Sequence, residues 1–261
     1  MILCTQNGVS FYQFTNMAAC SGVDHRIFTR NSGHSQPPFA SLNVSFGIGD
    51  SQKNVAANRA VISRFMGSGR LVFARQVHGC EIAVLSRDSE KSAITSTGRT
   101  FSADAMVTDI CGRNLAIQVA DCQAVLLYEP IRQVIANVHC GWRGSIQNII
   151  GRTVEVMEQQ FGCRRNRIRA GIAPSLGPCC AEFINYRTEI PMKFWRYKGL
   201  NKHFDFWSLS RDQLKQAGVY EINIESSGIC TRCHTDDFFS YRAHKTTGRF
   251  AAVIGLTERK S

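Results

Sequence analysis

Two histidines and one cysteine are the residues of this chain best suited to metal chemistry. His78, Cys122 and His139 each stand at the end of an apolar run that has the composition of a β-strand. Because strands that pair in one sheet can bring their ends together, the three side chains can meet where sites are commonly built, on loops. Two imidazoles and a thiolate suit zinc or copper, and three protein ligands leave one position for water or substrate. These residues predict a catalytic metal site, with buried structural His and Cys as the alternative.

A carboxylate stands directly before the candidate thiolate. Asp121 could orient a ligand of the metal or accept a proton from water at the metal, as acidic residues near catalytic metals do. We therefore count Asp121 with His78, Cys122 and His139 among the candidate catalytic residues.

Three predicted strands must position these side chains. They are residues 71–77, 115–120 and 133–138, and a further extended segment, 123–130, follows Cys122. After the third strand, apolar residues at helical spacing from Ile146 to Phe161 predict a helix that stops at Gly162. Further strands are predicted at 167–174, 222–228 and 250–256, and a short helix at 211–219. The stretch 30–43, rich in Ser, Gly and Pro, is predicted to be a surface loop.

The order of these elements indicates a mixed fold of the α+β (α/β-mixed) class. Strands and helices are interspersed along all 261 residues without a repeat or a low-complexity linker, so we predict one domain over residues 1–261. Hydrophobic residues make up 44% of the chain and charged residues 20%, the balance of a globular protein that can bury a core and still form a cleft.

The termini and the cysteines indicate a compartment. The N-terminus lacks the features of a signal peptide, and no stretch approaches the roughly 18 apolar residues that a membrane span needs. We therefore predict a cytoplasmic protein without membrane contact. The 11 cysteines are an odd number in a reducing compartment, so most of them are predicted to be buried free thiols.

The net charge of +11 raises the question of nucleic acid. The basic residues are spread along the chain, with the densest groups at 164–169 and at Arg259 and Lys260, and no recognition motif accompanies them. A basic surface that favours phosphate-bearing small molecules is the simpler interpretation, and we predict no nucleic-acid partner. A nucleic-acid-binding module remains the non-enzyme alternative, and steeply salt-dependent binding to a polyanion would reveal it.

Several segments carry a family resemblance. Residues 76–79 (QVHG), 120–122 (ADC) and 139–144 (HCGWRG) resemble, in the same order, the three signature segments of the laccase-domain (YfiH-like) purine nucleoside phosphorylase family. Four further segments are similar to family segments: 28–33 with 40–50, 102–109, 171–183 and 230–256. The resemblance therefore covers nearly the whole chain.

The resemblance implies a fold, a metal and a reaction. The fold is a single domain of four layers, α-β-β-α, with a surface cleft. The positions that match His78, Cys122 and His139 bind a catalytic zinc, or copper in some preparations. Family members convert adenosine, inosine or methylthioadenosine and phosphate to the free base and ribose 1-phosphate, and some deaminate adenosine. Purine nucleosides and phosphate are thus the expected substrates.

Phosphorolysis also requires a phosphate site. The candidates are Arg143, in the third signature segment after the metal ligand His139, and Arg242. A guanidinium group can bind phosphate through two hydrogen bonds. The chain departs from the family pattern at Cys140, Ala181 and Ala243, where the family usually has Ala, an aromatic residue and Arg. The extra thiol at Cys140 obscures the choice of metal, and the other two departures bear on substrate preference.

Other enzyme readings remain open. The family's older name suggests a laccase, but a multicopper centre needs more histidines than the 7 of this chain, which contains no His-x-His pair; one copper with secondary oxidase activity is compatible with it. Cys122 could instead be a nucleophile with His139 as its base, as in cysteine hydrolases. An editing role on cell-wall precursors is a related possibility.

A second group of cysteines also allows alternatives. Residues 230–234 (CTRCH) match the attachment pattern of c-type haem, which forms outside the cytoplasm and is therefore not expected here. A structural zinc at Cys230 and Cys233 would need two more ligands, for which Cys179 and Cys180 are candidates. Buried free thiols are the simpler interpretation.

Overall fold

The computed structural model describes residues 1–67, 69–85 and 101–257. Arg259 and Lys260, one of the basic groups named above, lie outside these ranges. The strands are β1 (Ile2–Gln6), β2 (Val9–Gln13), β3 (Val23–Phe28), β4 (Arg70–Phe73), β5 (Ile82–Leu85), β6 (Ala105–Thr108), β7 (Arg113–Val119), β8 (Gln123–Glu129), β9 (Val134–Cys140), β10 (Arg169–Ile172), β11 (Ile224–Ser226) and β12 (Phe250–Leu256). The helices are α1 (Thr15–Ala18), α2 (Gln52–Phe65), α3 (Trp142–Ile146), α4 (Ile149–Phe161), α5 (Tyr186–Glu189) and α6 (Phe206–Gln216). Short 3₁₀ helices cover Arg165–Arg167, Met192–Tyr197, Leu200–Lys202 and Glu221–Asn223.

The strands form two six-stranded sheets, both of them mixed. The first sheet has the order β1-β2-β3-β12-β7-β4, antiparallel except for the parallel pair β4 and β7. The second has the order β11-β10-β8-β9-β6-β5, with parallel pairs at both edges and antiparallel pairs between them. The predicted mixed α+β class is confirmed.

Successive residues of a strand face opposite sides of its sheet, and their contacts show the order of the layers. In β7, Leu115, Ile117 and Val119 join the core between the two sheets, whereas Ala116 faces the outer side of the first sheet. Helix α2 covers that outer side, and α4 and α6 cover the outer side of the second sheet. This arrangement is the predicted α-β-β-α order of four layers. Each large apolar side chain that is fully buried contributes about 1.5–3 kcal/mol to folding.

The structure changes the bounds of several predicted elements, and the strands predicted at 167–174 and 222–228 shorten to Arg169–Ile172 and Ile224–Ser226. Strand β4 ends at Phe73, so the chain to His78 is a loop and not a strand that delivers the histidine. The predicted helix from Ile146 is two helices, because Asn148 adopts a left-handed conformation (φ 57°) and accepts a hydrogen bond from Gly151 N at 3.2 Å, which caps α4. Gly162 (φ 65°) ends α4 as predicted. The helix predicted at 211–219 begins earlier, at Phe206.

The stretch 30–43 is more than a surface loop. Leu42 and Asn43 are fully buried, and the side chain of Asn58 in α2 donates to the carbonyls of Ser41 (3.1 Å) and Asn43 (2.7 Å). Hydrogen bonds from a buried side chain satisfy backbone groups that water would otherwise bind. Composition predicted the lack of regular structure and the exposed residues at 36–38 correctly, but not the burial of Leu42 and Asn43.

No helix within residues 1–67, 69–85 and 101–257 combines the length and the apolar character that a membrane-spanning helix needs.

A buried histidine predicts acid sensitivity. His25 is fully buried, and its Nε2 accepts a hydrogen bond from Phe14 N at 2.7 Å. Burial lowers the pKa of His25 from 6.5 to about 4, with Glu225 opposing the shift and Arg26 adding to it. Below pH 6.5 His25 binds a proton in the unfolded chain but not in the folded chain. The free energy of unfolding therefore falls as the pH drops toward 4.

We therefore expect His25→Gln, which keeps an acceptor for Phe14 N, to weaken this pH dependence. Between about pH 7.5 and pH 5 the wild-type protein should lose about 2 kcal/mol more unfolding free energy than the variant. Denaturant titrations of both proteins at the two pH values measure this difference. Equal losses would show that His25 does not carry the effect.

Candidate functional site

The three predicted ligands come from three different local structures. His78 lies in the loop after β4 with a left-handed backbone (φ 58°). Cys122 lies where the chain passes from β7 in the first sheet to β8 in the second, just after Asp121 (φ 91°). His139 is inside β9, on its face toward the first sheet. Their ligand atoms lie within 4.8 Å of one another, and Cys122 Sγ is 4.0 Å from His78 Nδ1.

A buried carboxylate that the sequence analysis missed organises two of these ligands. Asp104, fully buried before β6, accepts a hydrogen bond from His139 Nδ1 at 2.8 Å. Its oxygens also accept from the backbone N–H groups of His78 (2.9 Å) and Gly79 (2.7 Å). Asp104 therefore holds the left-handed backbone at His78 and fixes the ring of His139. The signal in the sequence was an acidic residue directly before the apolar residues Ala105, Met106 and Val107.

The site favours a thiolate and an imidazolium. Burial opposes charge on both Cys122 and His139, but their mutual attraction prevails. It lowers the pKa of Cys122 to about 6 and raises the pKa of His139 to about 9. The hydrogen bond that His139 donates to Asp104 supports the positive charge on His139, and His78 supports the negative charge on Cys122. Cys122 is thus prepared to act as a thiolate, which is the form that binds metals or attacks electrophiles.

The donor set fits a zinc or copper ion. Nδ1 of His139 donates a hydrogen bond to Asp104, which leaves Nε2 of the ring to bind a metal. Carboxylates commonly orient metal-binding histidines in this way. A Cβ atom at Gly141 would lie 3.1 Å from His78 Nδ1 and 3.3 Å from Cys122 Sγ. The absence of a side chain at Gly141 therefore keeps the space between the donors open. Two nitrogen donors and one sulfur donor match the ligands that these two metals accept.

The additional thiol of Cys140 does not join this group. Adjacent residues in a strand point to opposite faces, so Cys140 packs among the apolar residues between the second sheet and its helices. Its sulfur lies 3.2 Å from Ser145 Oγ, and burial raises the pKa of Cys140 to about 12. The neutral thiol packs away from the three ligands and is not part of the donor set, although Cys140 also lines the cavity that contains them.

The three ligands lie in a cavity of about 560 Å³. Its aromatic wall consists of Trp142, Phe183 and Phe206, with ring centroids 6.2 Å apart for the first pair and 5.3 Å for the second. Gln118 contributes a polar group: its Oε1 is buried and has no hydrogen-bond partner among the described residues. A cavity of this size and composition accommodates a planar, polar ligand.

The two arginines predicted to contact phosphate differ in position, because Arg242 lines the cavity and Arg143 does not. Arg242 lines the cavity, and its Nη1 donates to the carbonyls of Cys180 (3.0 Å) and Glu182 (3.1 Å). Arg143 is exposed and its guanidinium lies over the ring of Trp142, 4.2 Å from the centroid, outside the set of cavity-lining residues. The sequence analysis missed Arg249, a second cavity-lining arginine. Within the described ranges, neither Arg242 nor Arg249 forms an ion pair.

Asp121 lines the cavity but its carboxylate has structural partners. Oδ1 accepts from the hydroxyl of Thr231 at 2.7 Å, and Oδ2 accepts from Arg242 N at 2.6 Å. Both oxygens thus anchor the loops that form the cavity wall. In this arrangement Asp104, rather than Asp121, orients a candidate ligand.

Comparisons with known proteins cover nearly the whole chain. A model of the family described as "Multi-copper polyphenol oxidoreductase laccase" matches residues 24–257. The "Purine nucleoside phosphorylase" of Deinococcus radiodurans is 34% identical over an alignment of 268 residues, and the alignment covers 98% of this chain and 96% of that protein. The "Purine nucleoside phosphorylase YlmD" of Geobacillus stearothermophilus is 31% identical over an alignment of 251 residues, which covers 91% of this chain and 92% of that protein. The crystal structure of YlmD from Geobacillus stearothermophilus has a TM-score of 0.85 at 29% identity, covering 98% of this chain and 99% of that one.

Proposed function

The chain belongs to the family described as multi-copper polyphenol oxidoreductase laccase, and from that premise we propose that it is a zinc-dependent purine nucleoside phosphorylase. It converts adenosine, inosine or methylthioadenosine and phosphate to the free base and ribose 1-phosphate. The observation that carries the proposal is a single cavity that combines the donors of His78, Cys122 and His139 with an aromatic wall and two unpaired arginines. The names of the two relatives support the same reaction.

The aromatic wall suits the purine. A purine ring buries a large apolar face when it packs against aromatic side chains, and Trp142, Phe183 and Phe206 offer such a surface. The unpartnered Oε1 of Gln118 can accept a hydrogen bond from an amine or hydroxyl of the nucleoside. A ligand that supplied this donor would remove the cost of a buried acceptor without a partner.

The two cavity arginines suit the phosphate. Arg242 is anchored by one nitrogen to backbone carbonyls, which leaves the rest of its guanidinium fork for an anion. Arg249 is anchored in the same way, with Nη1 donating to the carbonyls of Thr247 and Gly248, both at 2.9 Å. Fixed guanidinium groups bind phosphate bidentately and place it against the ribose carbon that it attacks.

The metal site completes the proposal. His78, Cys122 and His139 would hold a zinc ion, which supplies Lewis-acid polarisation of a substrate atom when bound. Asp104 fixes His139 in the tautomer that presents Nε2, and the aromatic wall lines the same cavity. Deamination of adenosine to inosine in the same cavity is the proposed side activity.

A reaction test distinguishes these activities. Purified protein incubated with adenosine, inosine or methylthioadenosine should release free base only when phosphate is present, with ribose 1-phosphate formed in equal amount. Hydrolysis would yield ribose instead, and deamination would convert adenosine to inosine without phosphate. If zinc-loaded protein releases no base from any of the three nucleosides, the proposal is wrong.

The phosphate contacts can be tested in the same assay. Arg242→Lys and Arg249→Lys keep the charge but lose the bidentate fork, so each should raise the KM for phosphate by about tenfold, more than the KM for the nucleoside. Arg143→Lys is the comparison, and its effect should be much smaller because Arg143 lies outside the cavity lining. A larger effect at Arg143 than at Arg242 and Arg249 would return the phosphate site to Arg143.

A cysteine hydrolase is the second candidate, and one observation favours it. Asp104, His139 and Cys122 form a carboxylate–imidazole–thiolate series, with 2.8 Å between Asp104 Oδ1 and His139 Nδ1. In that reading Cys122 attacks a carbonyl and His139 protonates the leaving amine, as an editing reaction on cell-wall precursors would require. Metal bound at Cys122 decides between the two readings, since a thiolate that binds zinc is not free to attack. Protein without metal at His78, Cys122 and His139, in which iodoacetamide rapidly alkylates Cys122, would favour the hydrolase.

A further inference from the structure

Four cysteines from two distant segments have their sulfur atoms in one place. Cys179 and Cys180 follow β10, and Cys230 and Cys233 follow β11. These two strands pair in parallel, so the loops after them leave the sheet at the same end. All four Sγ atoms lie within 4.8 Å of one another. The group lies apart from His78, Cys122 and His139, and the proposed reaction does not use it.

The spacing of the sulfur atoms matches one tetrahedral ion. Cys233 Sγ is 3.7 Å from Cys179 Sγ and 3.6 Å from Cys180 Sγ. Four sulfur atoms at about 2.3 Å from a central zinc are about 3.8 Å from one another. A disulfide requires about 2.05 Å between its sulfur atoms, much less than the observed distances. We infer that Cys179, Cys180, Cys230 and Cys233 bind a single structural zinc ion.

The surroundings supply what a thiolate site needs. On binding, the four thiols release their protons to solvent, and the ion with four thiolates carries a net charge of −2. Gly177 N donates to Cys230 Sγ at 3.3 Å, a hydrogen bond that stabilises negative charge on this buried sulfur. Cys233 N and His234 N both donate to Cys230 O at 3.1 Å, which forms the tight turn of the Cys-x-x-Cys segment. Four protein ligands close the coordination sphere, so the ion has a structural role.

The ion stabilises the wall of the catalytic cavity. Arg242, in the cavity, donates to the carbonyl of Cys180, and Thr231, next to Cys230, donates to Asp121. The segment after β10 also supplies the cavity residues Ala181 and Phe183. Joining the two loops through one ion fixes the positions of these groups relative to one another. The structural zinc is therefore expected to hold the substrate-binding wall in place.

The test separates this ion from the catalytic one. Full-length Cys122→Ala, purified under reducing conditions, lacks the thiolate of the catalytic site. It should still contain about one zinc per chain, and X-ray absorption should show four sulfur neighbours at about 2.3 Å with no nitrogen neighbour. Zinc-free protein, or an ion with nitrogen ligands, would overturn the inference. Because the readout is coordination and not activity, it does not depend on the phosphorolysis proposal.

Matched variants then assign the ligands. Cys233→Ser in the Cys122→Ala protein should lose the remaining zinc, whereas Cys111→Ser, which replaces another exposed cysteine outside the group, should retain it. Retention of zinc in Cys233→Ser with full sulfur coordination would remove Cys233 from the site.

Alkylation of the wild-type protein gives an answer even if Cys233→Ser does not fold. Exposed Cys111 should react with iodoacetamide at once, and exposed Cys179 and Cys233 should react only after a zinc chelator is added. Reaction of Cys179 and Cys233 at the rate of Cys111 without chelator, or a disulfide within the group under reducing conditions, would contradict the inference.

Discussion

Cys122→Ala should lower the rate of phosphorolysis about a thousandfold and remove most of the catalytic metal while the chain stays folded. Cys122 is the one sulfur donor among the three ligands, and its side chain is only half-buried at the point where the chain changes sheets. A Lewis acid contributes several kcal/mol to a transition state, and each 1.36 kcal/mol corresponds to a factor of ten in rate. Removing a partly exposed thiol leaves little cavity in the core, so the variant should be about as stable as wild-type protein from which the catalytic metal has been removed.

Initial rates with inosine and phosphate, elemental analysis and thermal unfolding measure the three parts of this prediction. Cys140→Ala is the matched control. It removes the thiol at the end of β9, which packs on the helix-covered side of the second sheet. The control should keep both its metal and its activity. Full metal occupancy in Cys122→Ala would exclude Cys122 as a ligand, and full activity would exclude both the metal mechanism and the nucleophile mechanism.

Asp104→Asn should weaken metal binding by about 10–100-fold, the usual effect of changing a carboxylate that orients a metal-binding histidine. The amide cannot accept hydrogen bonds at both of its terminal atoms, so it cannot serve His139 Nδ1, His78 N and Gly79 N together as Asp104 does. The ring of His139 and the backbone at His78 should therefore be held less firmly in the positions that bind the metal. Competition against a chelator of known affinity measures the loss.

Asp109→Asn provides the comparison. Asp109 directly follows β6, the strand that Asp104 directly precedes, and its side chain is exposed. Its zinc affinity should equal that of the wild-type protein. An unchanged affinity in Asp104→Asn as well would mean that Asp104 only maintains the fold. Extended loss of structure in Asp104→Asn would show in its circular dichroism and would distinguish misfolding from a local effect on the ligands.

The local features of the sequence predicted much of the fold. The apolar run 250–256 is a strand with the predicted bounds, and Gly162 ends α4 because its left-handed backbone suits a residue without a side chain. The three ligands were also identified correctly as a group whose donors meet. Their assignment as catalytic ligands, and that of residues 1–261 as one domain, remain predictions. The core between the sheets supports the latter, since it includes β3 and β12 from opposite ends of the chain.

The features that the sequence analysis missed depend on contacts between distant residues. Asp104 and His139 are 35 residues apart, and nothing in their spacing shows that β6 and β9 become neighbours. Cys179 and Cys180 were named as possible partners of Cys230 and Cys233, but free thiols were the preferred interpretation, because periodicity does not specify that β10 pairs with β11. Most cysteines were predicted to be buried, but only four of the 11 are, and Cys111, Cys179 and Cys233 are exposed. Their exposure was not predictable because it follows from the loops and not from the residue type.

The position of Cys122 between the two sheets has a thermodynamic consequence. His78 follows a strand of the first sheet and His139 lies in the second, with Cys122 on the connection between them. An ion held by all three would bind only the state in which the sheets are docked, so it would act as a ligand of the native state. At a free concentration a thousand times its Kd, such a ligand adds about 4.1 kcal/mol to the free energy of unfolding. Chelation should then speed amide hydrogen exchange in β7 and β9 more than in the outer strand β1.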